Sequence, residues 1–186
     1  MTWRLKIQAT VFVLASQAAG YAMADPWAAV AAPAAVVLFR HATAPGLSDP
    51  PGFRLDDCAT QRNLDAAGRA EAQRIGERFR AAGIQVGAVL TSQWCRTRET
   101  AQLAFGPDVR DEPAFNALRE SGSARDAQVA RALDLLAAWR GPGTLVVITH
   151  QVNISAITGS GAVSAEGVVV RPAASLPWPV AGRLPP

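Results

Sequence analysis

The sequence is poor in several residue types, and each shortage excludes a class of protein. Only two of its 186 residues are cysteine, which excludes a disulfide-dense scaffold and a zinc site of four thiolates. Charged residues make up 18% of the chain and the net charge is +3, a balance that does not indicate a general nucleic-acid binder. Hydrophobic residues make up 49%, which suffices for a packed core and excludes a disordered or fibrous chain. The length predicts one domain.

The N-terminus has the features of a secretory signal peptide. Two basic residues, Arg4 and Lys6, precede a mostly apolar stretch over 7–20, and a small-residue cleavage motif ends at Ala24. The apolar stretch is shorter than the roughly 20 residues that span a bilayer, although an uncleaved membrane anchor is the alternative. We therefore expect cleavage after Ala24 and export of the mature protein to the periplasm or the medium, with no stable membrane anchor left.

Strand and helix patterns alternate along a predicted domain over 34–186, which follows a short Ala- and Pro-rich leader at 25–33. Apolar runs predict strands at 34–39, 86–91, 144–148 and 168–171. Amphipathic spacing predicts helices from the N-cap Asp65 to the stop at Gly83 and over 125–140, and another helix is expected over 93–105, where Gly106-Pro107 stops it. A long loop is expected at 43–63, and the Pro-rich tail at 172–186 stays unassigned. This alternation predicts a three-layer α/β/α sandwich with a mainly parallel central sheet.

Both histidines of the chain directly follow an apolar strand. His41 comes after the run 36–40, and His150 comes after the run 145–149. If the two strands are parallel in one sheet, both imidazoles emerge at the edge where such sheets bind ligands. A single histidine at a strand end can be a purely structural residue. Two histidines in the same position are harder to explain in that way, and they indicate a site.

Arginines reinforce the expectation of a site at this edge. Arg40 ends its strand, where burial of a guanidinium is costly unless it meets an anion. Arg96 follows the strand 86–91 through a short turn, and we expect it at the same edge. Arg98 is expected to make a surface ion pair with a neighbour such as Glu99. Two histidines and two arginines together predict a cage for a tetrahedral phosphate dianion.

Taken in order, these residues resemble the histidine phosphatase superfamily, also called phosphoglycerate-mutase-like. The motifs that carry the resemblance are the pair Arg40-His41 after a strand, the helix entry from Asn63 to Ala72, the series Ser92, Arg96, Thr100 and Ala101, and the strand-ending His150. The resemblance runs from about residue 36 to residue 154. It implies the phosphoglycerate-mutase-like form of the three-layer sandwich.

Two positions depart from the family's pattern. Ala42 follows His41 where many members have glycine, and Gln151 follows His150 where the acid-phosphatase branch has an aspartate proton donor. The chain is therefore similar to the smaller, mutase-type branch of the superfamily. Gln151 becomes a candidate substrate-binding residue in place of that aspartate.

The resemblance implies a phosphatase that needs neither a metal nor another cofactor. His41 would attack phosphorus in line and become a phosphohistidine, while Arg40, Arg96 and His150 would hold the phosphoryl oxygens. Export favours a small-molecule or glycan phosphate ester as the substrate. The alternatives are a phosphohistidine phosphatase and a non-catalytic domain that binds a phosphorylated ligand or a partner.

The general acid that protonates the leaving group is an open choice. The mutase-type branch supplies a Glu or Asp from the stretch between the arginine segment and the second histidine, and Glu120 is the first candidate. The other candidate carboxylates are Asp56, Asp57, Asp111, Glu112 and Asp126. If none of them reaches the site, easily cleaved substrates such as phosphoramidates become the favoured ones.

The two cysteines lie in segments that should both flank the pocket. In an oxidising compartment Cys58 and Cys95 can form a disulfide that ties the long loop to the Arg96 turn, and free thiols are the alternative. A thiolate nucleophile is not indicated, because the sequence has no Cys-x5-Arg phosphate loop.

Overall fold

A six-stranded sheet forms the centre of residues 25–186, the part of the chain that the computed structural model describes. The predicted signal peptide lies outside the described residues. The strands are β1 Val36–Arg40, β2 Val86–Thr91, β3 Arg110–Asp111, β4 Thr144–Thr149, β5 Gly167–Val170 and β6 Val180–Leu184. Their order is β3-β2-β4-β1-β5-β6; the first four are parallel, and β5 and β6 are antiparallel additions at one edge. The predicted mainly parallel sheet is confirmed.

Helices cover both faces of this sheet. They are α1 Pro26–Val30, α2 Ala66–Ala81, α3 Cys95–Phe105, α4 Ser123–Ala137 and α5 Gln151–Thr158. The predicted helices α2, α3 and α4 are present with small shifts at their ends, and the Asp65 side chain caps α2 as expected by accepting from the Gly68 N–H at 2.7 Å. The sequence analysis did not assign α5 or the two-residue strand β3.

Alternate residues of the central strands face opposite layers. Val37 and Phe39 of β1 belong to a core with the buried residues of α2 and α3, whereas Val36 and Leu38 belong to a second core with those of α4 and α5. Because both faces are covered, β1 is apolar without interruption over Val36–Phe39 and β4 over Leu145–Ile148, the pattern of a central parallel strand. The three-layer α/β/α sandwich is therefore confirmed.

The leader and the C-terminal tail both belong to the fold. Val30 of α1 is fully buried, and Trp27 packs edge-on against Phe79 with ring centroids 5.3 Å apart. The tail contributes β6, and the backbone N–H of the buried Trp178 donates to the Ile157 carbonyl at 2.7 Å. None of the helices in the described residues is long and apolar enough to cross a membrane.

Strand register brings the two histidines to the same edge. Arg40 lies opposite Thr149 at the end of the parallel pair of β1 and β4. His41 follows Arg40 and His150 follows Thr149, so the two histidines lie side by side just beyond the strand ends. The His41 N–H continues the pairing by donating to the Thr149 carbonyl at 3.0 Å. This edge is the carboxyl end of the parallel strands, where α/β sheets bind ligands.

A glycine lets α2 approach the chain just after His41. A Cβ at Gly68 would lie 2.0 Å from the Thr43 carbonyl oxygen, so only glycine fits there. One turn further along, Glu71 accepts hydrogen bonds from the Thr43 N–H at 2.8 Å and the Thr43 hydroxyl at 3.0 Å. The helix thereby holds the start of the long loop in place next to the histidine.

Candidate active site

His41 is buried and held in one tautomer. Its Nδ1 lies 2.7 Å from the carbonyl oxygen of Ala42, which can only accept, so Nδ1 carries the proton and Nε2 has a free lone pair. Burial lowers the pKa of His41 to about 3; the Ala42 carbonyl opposes this shift, and the charges of Arg96, Arg62 and Arg40 add to it. The neutral imidazole with a fixed second nitrogen is what a nucleophile requires.

His150 packs edge-on against His41. The two ring centroids are 5.5 Å apart with an interplanar angle of 69°. The Nε2 of His150 lies 2.9 Å from the hydroxyl of Ser92, which also bonds to Asn116 at 3.3 Å and so fixes the ring's orientation. Burial, followed by the nearby His41 and three arginines, holds the pKa of His150 well below its ordinary value. Both histidines are therefore neutral in this structure, and a bound dianion would oppose the shift of His150.

Arg96 connects His41 to a carboxylate that the sequence analysis did not single out. Its Nε donates to His41 Nε2 at 3.2 Å, while Nη1 and Nη2 donate to Asp49 at 2.8 and 3.3 Å. Burial raises the pKa of Asp49, but hydrogen bonds from the Arg62 N–H, Trp94 and Arg96 outweigh it and the net shift is downward. Asp49 is therefore an ionised residue within the site.

Three arginines surround His41, and we call Arg40, Arg62 and Arg96 the arginine cage. Arg40 Nη1 donates to the Ala162 carbonyl at 3.1 Å, and Arg62 Nη1 donates to the Ala44 carbonyl. The Nε atoms of Arg40 and Arg62 are buried and have no partner among the described residues. A buried donor without a partner is costly, and two of them beside a neutral histidine indicate an anion site.

The mouth of the site is lined by aromatic side chains from two loops. Trp94 packs edge-on against His150 at 5.3 Å, and Phe53 of the long loop lies 5.6 Å from Trp94. Arg119 places its guanidinium over the Phe53 ring at 4.8 Å. Glu120, the predicted general acid, is the next residue; it is exposed and makes no hydrogen bond or ion pair with the described residues. The structure therefore places Glu120 at the rim rather than in the cage.

Other candidate carboxylates are engaged away from the cage. Asp111 binds Arg98 on the surface, so the expected ion pair of Arg98 exists with a different partner than the predicted neighbour Glu99. That glutamate pairs with Arg69. The remaining candidates are Asp56 and Asp57, which pair with Arg54, Glu112, which caps the short helix at 113–115, and the exposed Asp126 in the first turn of α4.

Gln151 begins α5 directly after His150. Its side chain is exposed and lies along Gly161 rather than in a hydrogen bond with the cage. Its predicted contact with substrate stays a prediction.

A disulfide joins the long loop to the start of α3. Cys58 and Cys95 are bonded to each other, so the two cysteines form a disulfide and are not free thiols. Next to this bond, Gln61 accepts from the Cys95 N–H at 3.0 Å. Because Arg62 and Arg96 follow these residues directly, the disulfide holds two cage arginines at one place.

No group of three or more His, Cys, Asp or Glu side chains within residues 25–186 could hold a metal ion. Metal independence stays a prediction.

Comparison with known proteins gives the family. Residues 36–116 match the sequence profile of the histidine phosphatase superfamily, branch 1. A structure from Agrobacterium tumefaciens, of a protein proposed to be the phosphohistidine phosphatase SixA, is 25% identical; the match covers 83% of this chain and 99% of that one, with a TM-score of 0.54. The profile match over 36–116 and this structural likeness together support the histidine phosphatase superfamily and a function of the histidine-phosphatase type.

Two more distant structures share the fold. The protein histidine phosphatase SixA complexed with tungstate is 15% identical, with 81% of this chain and 96% of that chain covered and a TM-score of 0.56. The alpha-ribazole phosphatase from Shigella flexneri is also 15% identical, with 74% and 90% covered and a TM-score of 0.55. No curated protein gives a significant sequence match.

Proposed function

We propose that the protein is a phosphatase that forms a phosphohistidine on His41 and hydrolyses it. The observation that carries this proposal is the unprotonated Nε2 of a neutral, buried His41 inside a cage of three arginines, two of which have unpartnered Nε–H groups. Phosphoryl transfer needs mainly a positioned nucleophile and fixed positive charge around the phosphoryl oxygens. His41 supplies the nucleophile and the arginine cage supplies the positive charge, with no further cofactor in the proposed reaction.

The reaction has two balanced steps. The lone pair of His41 Nε2 attacks phosphorus, an N–P bond forms, and the bond from phosphorus to the leaving group breaks. A water molecule then attacks phosphorus, the N–P bond breaks, and inorganic phosphate leaves with the His41 imidazole neutral again. The Arg96 Nε–H now donates a hydrogen bond to His41 Nε2 and must switch this bond to a phosphoryl oxygen as the attack begins, because the one lone pair of Nε2 cannot both accept the bond and attack phosphorus.

For a phosphate monoester the leaving alkoxide needs a proton, and Glu120 is the proposed donor. Its position next to Arg119, which packs on Phe53 at the mouth, supports this role. A general acid contributes about 10²–10⁴-fold to such a step.

A phosphoramidate such as phosphohistidine is the second candidate substrate, and one observation favours it. Asp49 is the one carboxylate among the described residues that hydrogen-bonds to a cage arginine, and its lowered pKa leaves it no proton to give. The leaving group of a phosphoramidate is a nitrogen base, which can take its proton from water before the P–N bond breaks, so its departure does not depend on a carboxylic acid within the cage. The neighbour from Agrobacterium tumefaciens is proposed to act on phosphohistidine, which supports the same choice.

The test is hydrolysis of p-nitrophenyl phosphate and of phosphoramidate by the purified protein in the presence of EDTA. We expect turnover by the wild type and a loss of at least about 10³-fold in His41→Ala, because the nucleophile is removed. Glu120→Gln separates the two substrates: an ester phosphatase loses about 10²-fold or more on an alkyl phosphate and little on phosphoramidate. Unchanged turnover in His41→Ala would contradict the phosphohistidine route.

We also propose export of the mature protein to an oxidising compartment. The signal-like motif before Asp25 and the Cys58–Cys95 disulfide support this location. The measurement is the N-terminal sequence of the protein recovered from the extracytoplasmic fraction, which should begin at Asp25. Recovery of uncleaved protein in the cytoplasm would contradict export.

A further inference from the structure

We infer that Asp49 is a positioning residue that orients Arg96 on His41 and sets the charge of the cage to match a phosphoryl dianion. The inference rests on the proposed function, since it assigns a role within the same site. It concerns a loop residue that hydrogen-bonds to Arg96, which in turn donates to His41.

Four donors converge on the Asp49 carboxylate. Arg96 Nη1 and the Arg62 N–H reach one oxygen at 2.8 and 3.0 Å, while Arg96 Nη2 and Trp94 Nε1 reach the other at 3.3 and 3.0 Å. The side chains of Arg96 and Asp49 are 5% and 8% exposed. A carboxylate with this many fixed donors is not a mobile surface group, and its geometry is set by two separate segments, one at Arg62 and one at Trp94 and Arg96.

This arrangement decides which edge of Arg96 faces the reaction. Both η nitrogens are bound to Asp49, so the Nε–H is the donor directed at His41 Nε2. Arg96 therefore presents to the phosphoryl group the edge that carries its Nε–H rather than the end formed by Nη1 and Nη2. A placement error of about 1 Å at such a donor can cost about 10²-fold in rate.

Asp49 also changes the charge of the site. The cage carries three positive charges, both histidines are neutral, and Asp49 is the one described carboxylate bonded to the cage. The sum is 3 − 1 = +2, which balances a phosphoryl group with two negative charges. Without Asp49 the cage would carry +3 and would hold the substrate and the product phosphate more tightly, an interaction that does not favour the transition state over the ground state.

The test compares Asp49→Asn with Asp108→Asn, a matched control. Asp108 is exposed and lies beyond the C-terminal end of α3, the end opposite Arg96. Binding of inorganic phosphate is measured by calorimetry at low salt, and kcat is measured on p-nitrophenyl phosphate. In Asp49→Asn we expect the dissociation constant of phosphate to fall about tenfold and kcat to fall about 10²-fold. Asp108→Asn should change neither.

A rise in phosphate affinity together with a fall in kcat distinguishes this role of Asp49 from the alternatives. A merely structural role predicts weaker phosphate binding together with a lower kcat, and that result would overturn the inference. A general acid at this position predicts a loss on alkyl phosphates with p-nitrophenyl phosphate nearly unaffected, which would overturn it as well. If Asp49→Asn does not fold, Asp49→Glu keeps the negative charge but shifts the carboxylate that binds Arg96. Phosphate affinity should then persist while kcat falls, and an unchanged kcat would count against the proposal.

The affinity measurement also separates this inference from the proposed function. If the wild type binds phosphate but turns over neither substrate, the catalytic proposal fails, while the charge role of Asp49 is still decided by the tenfold change in binding. If turnover is confirmed and the affinity of Asp49→Asn does not rise, only the inference about Asp49 fails.

Discussion

The strand ends and the long loop build the same site by different means. His41 and His150 follow β1 and β4, so backbone pairing between two buried strands sets their positions. Arg62 and Asp49 lie in the loop between β1 and α2, where no strand pairing acts, and side-chain hydrogen bonds and a disulfide hold them instead. The difference indicates that the sheet carries the proposed nucleophile, while the loop supplies charged groups around it. Substitutions in the two regions should therefore have different effects on stability, phosphate affinity and rate.

Removal of the disulfide should have the largest effect on stability. In the loop-entropy model a bridge across the 37 residues between Cys58 and Cys95 contributes about 3–4 kcal/mol to the free energy of unfolding. We expect the double variant Cys58→Ser/Cys95→Ser to lose about that amount in urea unfolding. Activity should fall as well, because Arg62 and Arg96 lie next to the bridge.

The control for this prediction is the wild type with and without a reducing agent. Reduction should reproduce the loss of the double variant and should not change the double variant itself. A stable, fully active double variant would show that side-chain hydrogen bonds alone hold the loop.

Substitution of the loop arginine should affect anion binding more than the chemical step. We expect Arg62→Lys to weaken phosphate binding and to lower kcat/KM by about 10²-fold, because a lysine cannot reproduce both the bond to the Ala44 carbonyl and the free Nε–H. The measurement is kcat and KM separately, with phosphate affinity beside them. An equal loss in Arg62→Lys and in an Arg80→Lys surface control would exclude a specific contact.

The histidines at the strand ends predict a pH dependence of stability. The folded-state pKa of His41 is about 3 against an ordinary 6.5, and that of His150 is also lowered. Between these values the unfolded chain binds more protons than the folded one, so the free energy of unfolding falls as pH falls below 6.5. The slope is at most about 1.4 kcal/mol per pH unit for each histidine. Urea unfolding of the wild type and of His41→Gln at pH 7 and pH 5 tests this, and the variant should show the smaller difference.

The same shift has a consequence for activity. Because the lowered pKa keeps His41 neutral at pH values well below 6.5, protonation of this residue should not reduce kcat/KM between pH 7 and pH 5. A fall in kcat/KM centred near pH 6.5 would contradict the shift.

The strand-borne half of the site could be predicted from the sequence. An apolar run that stops at a histidine marks the end of a covered strand, and parallel strands end at one edge, so His41 and His150 were placed together without long-range information. The helices α2, α3 and α4 were predictable because their apolar spacing ends at recognisable stops. In contrast, α5 has no such spacing over Gln151–Thr158, and β3 is two residues long.

The loop-borne half could not be predicted in the same way. Asp49 is one of several acidic residues in a Pro-rich loop, and its partner Arg96 is 47 positions away in sequence. Nothing in the local sequence distinguishes it from the exposed Asp56. Arg62 is likewise not marked by any local motif, whereas the structure places it in the cage. Long-range contacts among polar loop residues leave no periodic pattern, and these two residues were missed for that reason.

A surface ion pair provides the smallest expected effect and a baseline for the comparison. Arg98 is two residues from Arg96 on α3, but it binds Asp111 at the surface with both side chains about one-third exposed. Exposed pairs contribute roughly 0–1 kcal/mol, so Arg98→Ala should lower the free energy of unfolding by no more than that and leave kcat and KM unchanged. A large loss of activity in Arg98→Ala would mean that α3 transmits surface changes to Arg96. In that case the loop and the sheet edge would not be separable as argued above, and the effects of Asp49→Asn would have to be measured against this variant as well.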